Sequence, residues 1–116
     1  MSLAWQVRLA SQAEQDLFDI ILWTAENFGT KQAEHYAATI ALAIEALHYG
    51  PEILGFKVRD EIGMGVRTLH AARQGRKGRY FVAFSVSEGH IINVLRLLHD
   101  SIDLAIHLPE GHTESK

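Results

Sequence analysis

The chain has 116 residues, is 47% hydrophobic, carries a formal net charge of −3 and contains no cysteine. That length supports one compact core and is short for two ordinary domains, and the missing thiols exclude a disulfide framework and a thiolate metal site. No N-terminal apolar stretch reaches signal or membrane-span length, so the expectation is one cytoplasmic domain, ordered over about residues 4–108, with a polar tail over 109–116.

Trp5-Gln6-Val7-Arg8-Leu9 alternates apolar and polar, as a half-buried strand does. Ser11-Gln12-Ala13-Glu14 then matches a capping box, in which hydroxyl and carboxylate each satisfy an unpaired backbone N–H. Behind it Ala13, Leu17, Ile20, Ile21, Thr24 and Phe28 recur at helical spacing up to Gly29, which predicts a first helix over 11–28. Thr30 can cap a second helix, whose stripe of Ala33, Tyr36, Ala37, Ile40, Ile44 and Leu47 runs to Gly50-Pro51. So short a connection forces an antiparallel helical hairpin.

Residues 51–65 contain Gly55, Gly63 and Gly65 and no sustained period, so they read as a long loop whose Ile53, Leu54, Phe56 and Val58 fold back on the core. The period then changes to two. Val66-Arg67-Thr68-Leu69-His70, residues 80–86 and residues 91–98 are strands, joined by a basic turn at 74–78 and a hairpin turn at 87–90. The fold class is therefore α+β, in the order β-α-α-β-β-β: an antiparallel sheet of about four strands packed on a helical hairpin.

Charge is unevenly placed along these elements. Residues 1–60 hold four Lys/Arg against eight Asp/Glu, whereas 67–79 hold Arg67, Arg73, Arg76, Lys77 and Arg79 and no acid. Such a patch suits phosphate or an acidic partner, or is a solvated hairpin tip, while the acidic remainder opposes long-range steering toward nucleic acid. In the last strand, Arg96 lies two residues from both Val94 and Leu98 and is expected on their face. A charge in an apolar run requires a use or a partner, and Glu14, Asp16 and Asp19 are candidates. Arg67, sharing a face with Leu69, can bury its stem and bond backbone or acid through its guanidinium. His99 ends the run, where an imidazole bonded to backbone or to Asp103 fixes the exit of the chain. The seven histidines show no close ligand spacing, so neither metal nor cofactor is expected. Trp5, Trp23, Tyr36 and Tyr49 pack in the core or under the loop, or, if exposed, anchor a partner.

Leu17-Phe18-Asp19-Ile20-Ile21 followed by Thr24-Ala25-Glu26-Asn27-Phe28-Gly29, with Gln32-Ala33-Glu34-His35-Tyr36 opening the second helix, resembles the RelE/ParE superfamily of type II toxin–antitoxin toxins. The Gly65-Val66-Arg67-Thr68-Leu69 strand, and Val94-Leu95-Arg96-Leu97-Leu98-His99 with Asp103 and His107-Leu108 beyond it, look more like the ParE branch. The resemblance spans residues 5 to 108 and implies a small toxin held inactive by a cognate antitoxin, whose amphipathic segment lies along the helices and sheet. ParE members act on DNA gyrase and block replication, with plasmid stabilisation and growth arrest as consequences; RelE members cut messenger RNA in the ribosomal A site.

Three functions follow: a non-enzymatic gyrase inhibitor, which the ParE-like last strand and acidic charge favour; a ribosome-dependent mRNA interferase; or a non-toxic member that only binds antitoxin. Metal-free RNA cleavage needs a base for the 2′-OH, an acid for the leaving oxygen and cations for the charged transition state. Arg67, Arg79 and Arg96 could supply charge, and His70, Tyr80 and His99 could move protons. RelE-branch toxins look strongly basic, whereas this chain has only Lys31, Lys57, Lys77 and Lys116 as lysines. For target binding the candidates are Arg67, Arg73, Arg76, Arg79 and Arg96. Homo-oligomerisation is not specified.

Overall fold

The structure is a computed structural model that describes residues 5–53, 55–61, 63–72 and 79–99. Strand β1 (Gln6–Leu9) leads into helices α1 (Ser11–Phe28) and α2 (Thr30–Ala46), and a 3₁₀ turn (Leu47–Tyr49) closes the second helix. Strands β2 (Phe56–Val58), β3 (Arg67–His70), β4 (Tyr80–Ser87) and β5 (Ile91–His99) follow. The sheet order is β1-β5-β4-β3-β2, with β1 parallel to β5 and every other pair antiparallel. The α+β class and both helices match the sequence reading. Two features extend it: the sheet is mixed, since the helical hairpin carries the chain from β1 to β2 at the far edge and the return through β3 and β4 sets β5 parallel to β1, and it has a fifth strand. That strand comes from the segment read as a loop, where Phe56 alternates with Lys57 for only three residues, too few to register as a period.

Both helix starts differ from the expected caps. The N-caps are Ala10 and Gly29, neither end has a side-chain cap bond, and Ser11 and Thr30 are the first helical residues. Backbone pairing sets these starts. Ala10 remains extended because its N–H donates to Val94 O (2.9 Å), while its carbonyl accepts from Glu14 N (3.0 Å). Gly29, at φ 97°, donates to Ala25 O and accepts from Ala33 N, so one residue ends α1 and opens α2. A positive φ of this kind favours glycine.

One face of the sheet carries the core. Ala13 and Ile20 of α1 and Ile40 and Ala43 of α2 pack on Leu69, Val82, Phe84, Ile92, Val94 and Leu97. Trp5, Tyr36, Ile53 and Phe56 pack against this cluster, as expected, while Phe28, Trp23, Tyr49 and Val58 are exposed instead. Leu54 lies outside the described residues, as do residues 73–78, where the basic turn was expected at 74–78, and everything from residue 100 on. A second, smaller cluster of Val66, Ala83 and Leu98, with Leu95 against it, sits on the opposite face. Among the described residues no helix is long and apolar enough to cross a membrane.

Candidate functional site

A buried polar constellation lies where β5 outruns its neighbour. β1 pairs with residues 91–94 of β5 and then turns into α1, leaving the remainder of β5 without a strand on that side. Asp16, one and a half turns into α1, occupies the gap. Its carboxylate accepts from Leu97 N (2.9 Å), from Arg96 Nε (2.8 Å) and Nη2 (3.2 Å), and from Gln12 Nε2 (3.2 Å). Asp16 is only 8% exposed, so the two-nitrogen grip of the guanidinium supplies the partner that a buried charge needs. Of the three carboxylates the sequence offers to Arg96, the middle one is used.

Arg96 does not share a face with Val94. In the β4–β5 ladder Phe84 faces Val94 and Ala83 faces Arg96, so Leu95 is an extra, bulged residue. The bulge reverses the alternation: Val94 joins the helix-covered core, whereas Leu98, and with it Arg96, belongs to the opposite face. A period-two reading cannot anticipate an inserted residue.

The other candidates are distributed over both faces. Arg67 pairs with Phe84 and points to the helix side, where its guanidinium sits over the Phe56 ring (5.4 Å) and Nη1 donates to Pro51 O (3.5 Å). This is the buried stem and backbone bond that its spacing from Leu69 suggests. Tyr80 and His99 are opposite one another on the same side, edge to face at 5.2 Å, with Tyr36 of α2 completing the aromatic stack at 6.1 Å from Tyr80. His70 is on the other face. Its Nδ1 accepts from Ala72 N (2.9 Å), and its ring meets the Phe81 edge at 4.8 Å. Arg79 is exposed at the start of β4, while Arg73, Arg76, Lys77 and Asp103 lie outside the described residues. The nuclease set of Arg67, Arg79, Tyr80, Arg96 and His99 is thus divided between two faces by strand alternation and the bulge. Among the described residues no group of three His, Asp or Glu could hold a metal ion.

Two cations that sequence reasoning passed over stand near His70. Arg59 donates from Nε to Thr68 Oγ1 (3.3 Å) and lies over Phe81 (5.9 Å), and Lys57, paired with Thr68, is exposed beside it. Their alternation in Lys57-Val58-Arg59 was the available signal, hidden by the short length of β2.

A family model described as the ParE toxin of type II toxin–antitoxin systems matches residues 7–104. No curated protein matches the chain. Among solved structures, the chromosomal ParDE toxin–antitoxin system of P. aeruginosa is similar at a TM-score of 0.63 and 21% identity, covering 82% of this chain and 95% of that one. The RelBE2 toxin–antitoxin complex of Mycobacterium tuberculosis is similar at a TM-score of 0.54 and 20% identity, covering 84% and 99%. At such identities the likeness is one of fold.

Proposed function

The chain belongs to the ParE toxin family of type II toxin–antitoxin systems, and from that membership we propose that it is a non-enzymatic inhibitor of DNA gyrase, held inactive in the cytoplasm by a cognate antitoxin. The observation that carries the choice of mechanism is the separation of the nuclease candidates. Arg96 is committed to Asp16 of α1 at the edge of β5 that β1 leaves uncovered, while Arg67, Tyr80 and His99 lie on the helix-covered face under other partners. Metal-free RNA cleavage needs its base, acid and cations around one phosphate, and this arrangement supports binding over that chemistry.

An antitoxin partner accords with the exposed side chains of α1. Phe18, Leu22, Trp23 and Phe28 are all exposed, and Trp23 meets Phe28 edge-on at 5.6 Å. Exposed apolar side chains of this kind along one helix suit an amphipathic segment that folds as it docks. The test is supercoiling by purified gyrase with increasing toxin. Inhibition that added antitoxin reverses is expected; full supercoiling at high toxin excess, with transcripts cut on translating ribosomes, refutes the proposal in favour of an interferase. Normal growth on induction without antitoxin would leave only the antitoxin-binding role.

A further inference from the structure

The helices form an acidic layer. α1 and α2 hold six acids, with Lys31 as their only Lys or Arg. Asp16 is answered by Arg96 and Asp19 accepts from Gln15. Among the described residues no ion pair reaches Glu14, Glu26, Glu34 or Glu45, and all four are exposed.

These four glutamates bracket exposed apolar side chains. On α1, Glu14, Phe18, Leu22 and Glu26 recur every fourth residue and form one row, in which Phe18 is 61% and Leu22 47% exposed. On α2, Glu34, Ala38, Ala41 and Glu45 form a second exposed row of the same pattern: acid, two apolar residues, acid. Both rows face away from the sheet, because Ile20 and Ile40, on the opposite sides of the helices, pack on it. Gly29 joins the helices directly, so α2 returns along α1 and sets Phe18 level with Ala41, Glu14 with Glu45 and Glu26 with Glu34. The hairpin thus presents an apolar strip with a pair of carboxylates at each end, the two pairs standing about 17 Å apart along the helix axis.

We propose that this outer face receives an amphipathic helix of the partner protein, with bulky apolar residues in its middle and Lys or Arg at its ends, about three turns apart. The inference rests on the reading of the chain as a toxin held by an antitoxin, and it names the antitoxin segment by its chemistry. A helix fits for two reasons. The backbone of α1 and α2 is bonded internally, which leaves no ladder for an added strand. Apolar residues one turn apart on a partner helix also match the spacing of Phe18 with Leu22 and of Ala38 with Ala41, and the alanines leave room for large side chains. The unpaired carboxylates select cations opposite them and oppose the other occupants of an apolar face. They repel nucleic acid and anionic lipid headgroups, and a second copy of the chain would set glutamate against glutamate.

Two arms test this. In the first, two fluorescent helical peptides with the same leucine-rich middle, one ended in lysines and one in glutamates, are titrated by anisotropy with wild-type toxin and three variants. These are Phe18→Ser, Glu14→Lys combined with Glu45→Lys, and the control Met64→Ser on the β2–β3 loop, used after circular dichroism shows equal thermal midpoints. The lysine-ended peptide is expected to bind the wild type about tenfold or more tighter than the glutamate-ended one at low salt, and the gap to close as salt rises. Phe18→Ser should weaken the lysine-ended peptide by about tenfold. The double charge reversal leaves one acidic and one basic end and should bring the two peptides within about twofold, while Met64→Ser changes neither, as a distant site does. Failure of both peptides to bind, equal binding, or tighter binding of the glutamate-ended peptide overturns the inference and leaves gyrase inhibition standing; if the toxin leaves gyrase untouched, this arm still decides the surface. In the second arm, antitoxin is titrated into gyrase supercoiling reactions inhibited by each protein. Phe18→Ser and the charge reversal should each require about tenfold more antitoxin for release, and an unchanged requirement overturns the assignment of this face.

Discussion

Replacing Asp16 by alanine tests the central polar constellation. The change removes the acceptor for two Arg96 nitrogens, for the buried Leu97 N–H and for Gln12. Breaking a buried ion pair from one side costs about 3–5 kcal/mol, because the other charge is left behind. The Arg96 side chain retains 21% exposure, so water takes up part of that loss and the lower end, about 3 kcal/mol, applies. The orphaned Leu97 N–H adds about 1 kcal/mol. A total of roughly 4 kcal/mol lowers the thermal midpoint by about 16 °C at about 4 °C per kcal/mol for a domain of this size. Asp19→Ala is the control: three residues further along α1, it loses only an exposed bond from Gln15 (2.9 Å) and is expected to cost under about 0.5 kcal/mol. Adding Arg96→Met to Asp16→Ala removes the stranded charge and should recover about 1–2 kcal/mol. The measurement is urea unfolding of these three variants and of Arg96→Met alone, which completes the double-mutant cycle and gives the coupling energy. Asp16→Ala within about 1 kcal/mol of Asp19→Ala, or a double variant worse than the single, refutes the reasoning.

Arg96→Ala is expected to abolish toxicity together with a lowered thermal midpoint, whereas lost growth arrest at an unchanged midpoint would make Arg96 a target contact instead. Thr24 Oγ1 is buried and has no hydrogen-bond partner among the described residues; Thr24→Val keeps the shape, removes the unsatisfied hydroxyl and should raise stability by about 1 kcal/mol in urea. Gly50→Ala should cost more than Gly29→Ala. Both glycines have positive φ, of 120° and 97°, but an added Cβ at position 50 would come within 3.3 Å of the Trp5 indole nitrogen, and at position 29 it meets nothing. Backbone strain alone costs about 1–3 kcal/mol, so the difference between the two midpoints isolates the Trp5 contact, and equal costs would show that the indole simply moves aside.

The helices were legible because each is long enough for its apolar stripe to repeat several times before a glycine with positive φ ends it. The same rule failed at β2, where three residues offer one alternation, and at the caps, where pairing of Ala10 with Val94 set the start of α1 more firmly than the hydroxyl of Ser11 could. The site divides along the same line. That Arg96 requires a carboxylate followed from the cost of an unpaired charge in an apolar run, and Asp16 was among the three acids near enough in the fold to supply it. Its face did not follow. Alternation along β5 is broken by Leu95, and nothing local in Val94-Leu95-Arg96 marks the extra residue, because the register is set by β4 and by a carboxylate 81 residues away that claims Leu97 N. The bulge and Asp16 form one device. β1 ends at Leu9, β5 continues to His99, and the uncovered stretch is held by a side chain from the helix that β1 becomes. With that carboxylate used to seal the sheet, the positive charge of Arg96 is spent internally.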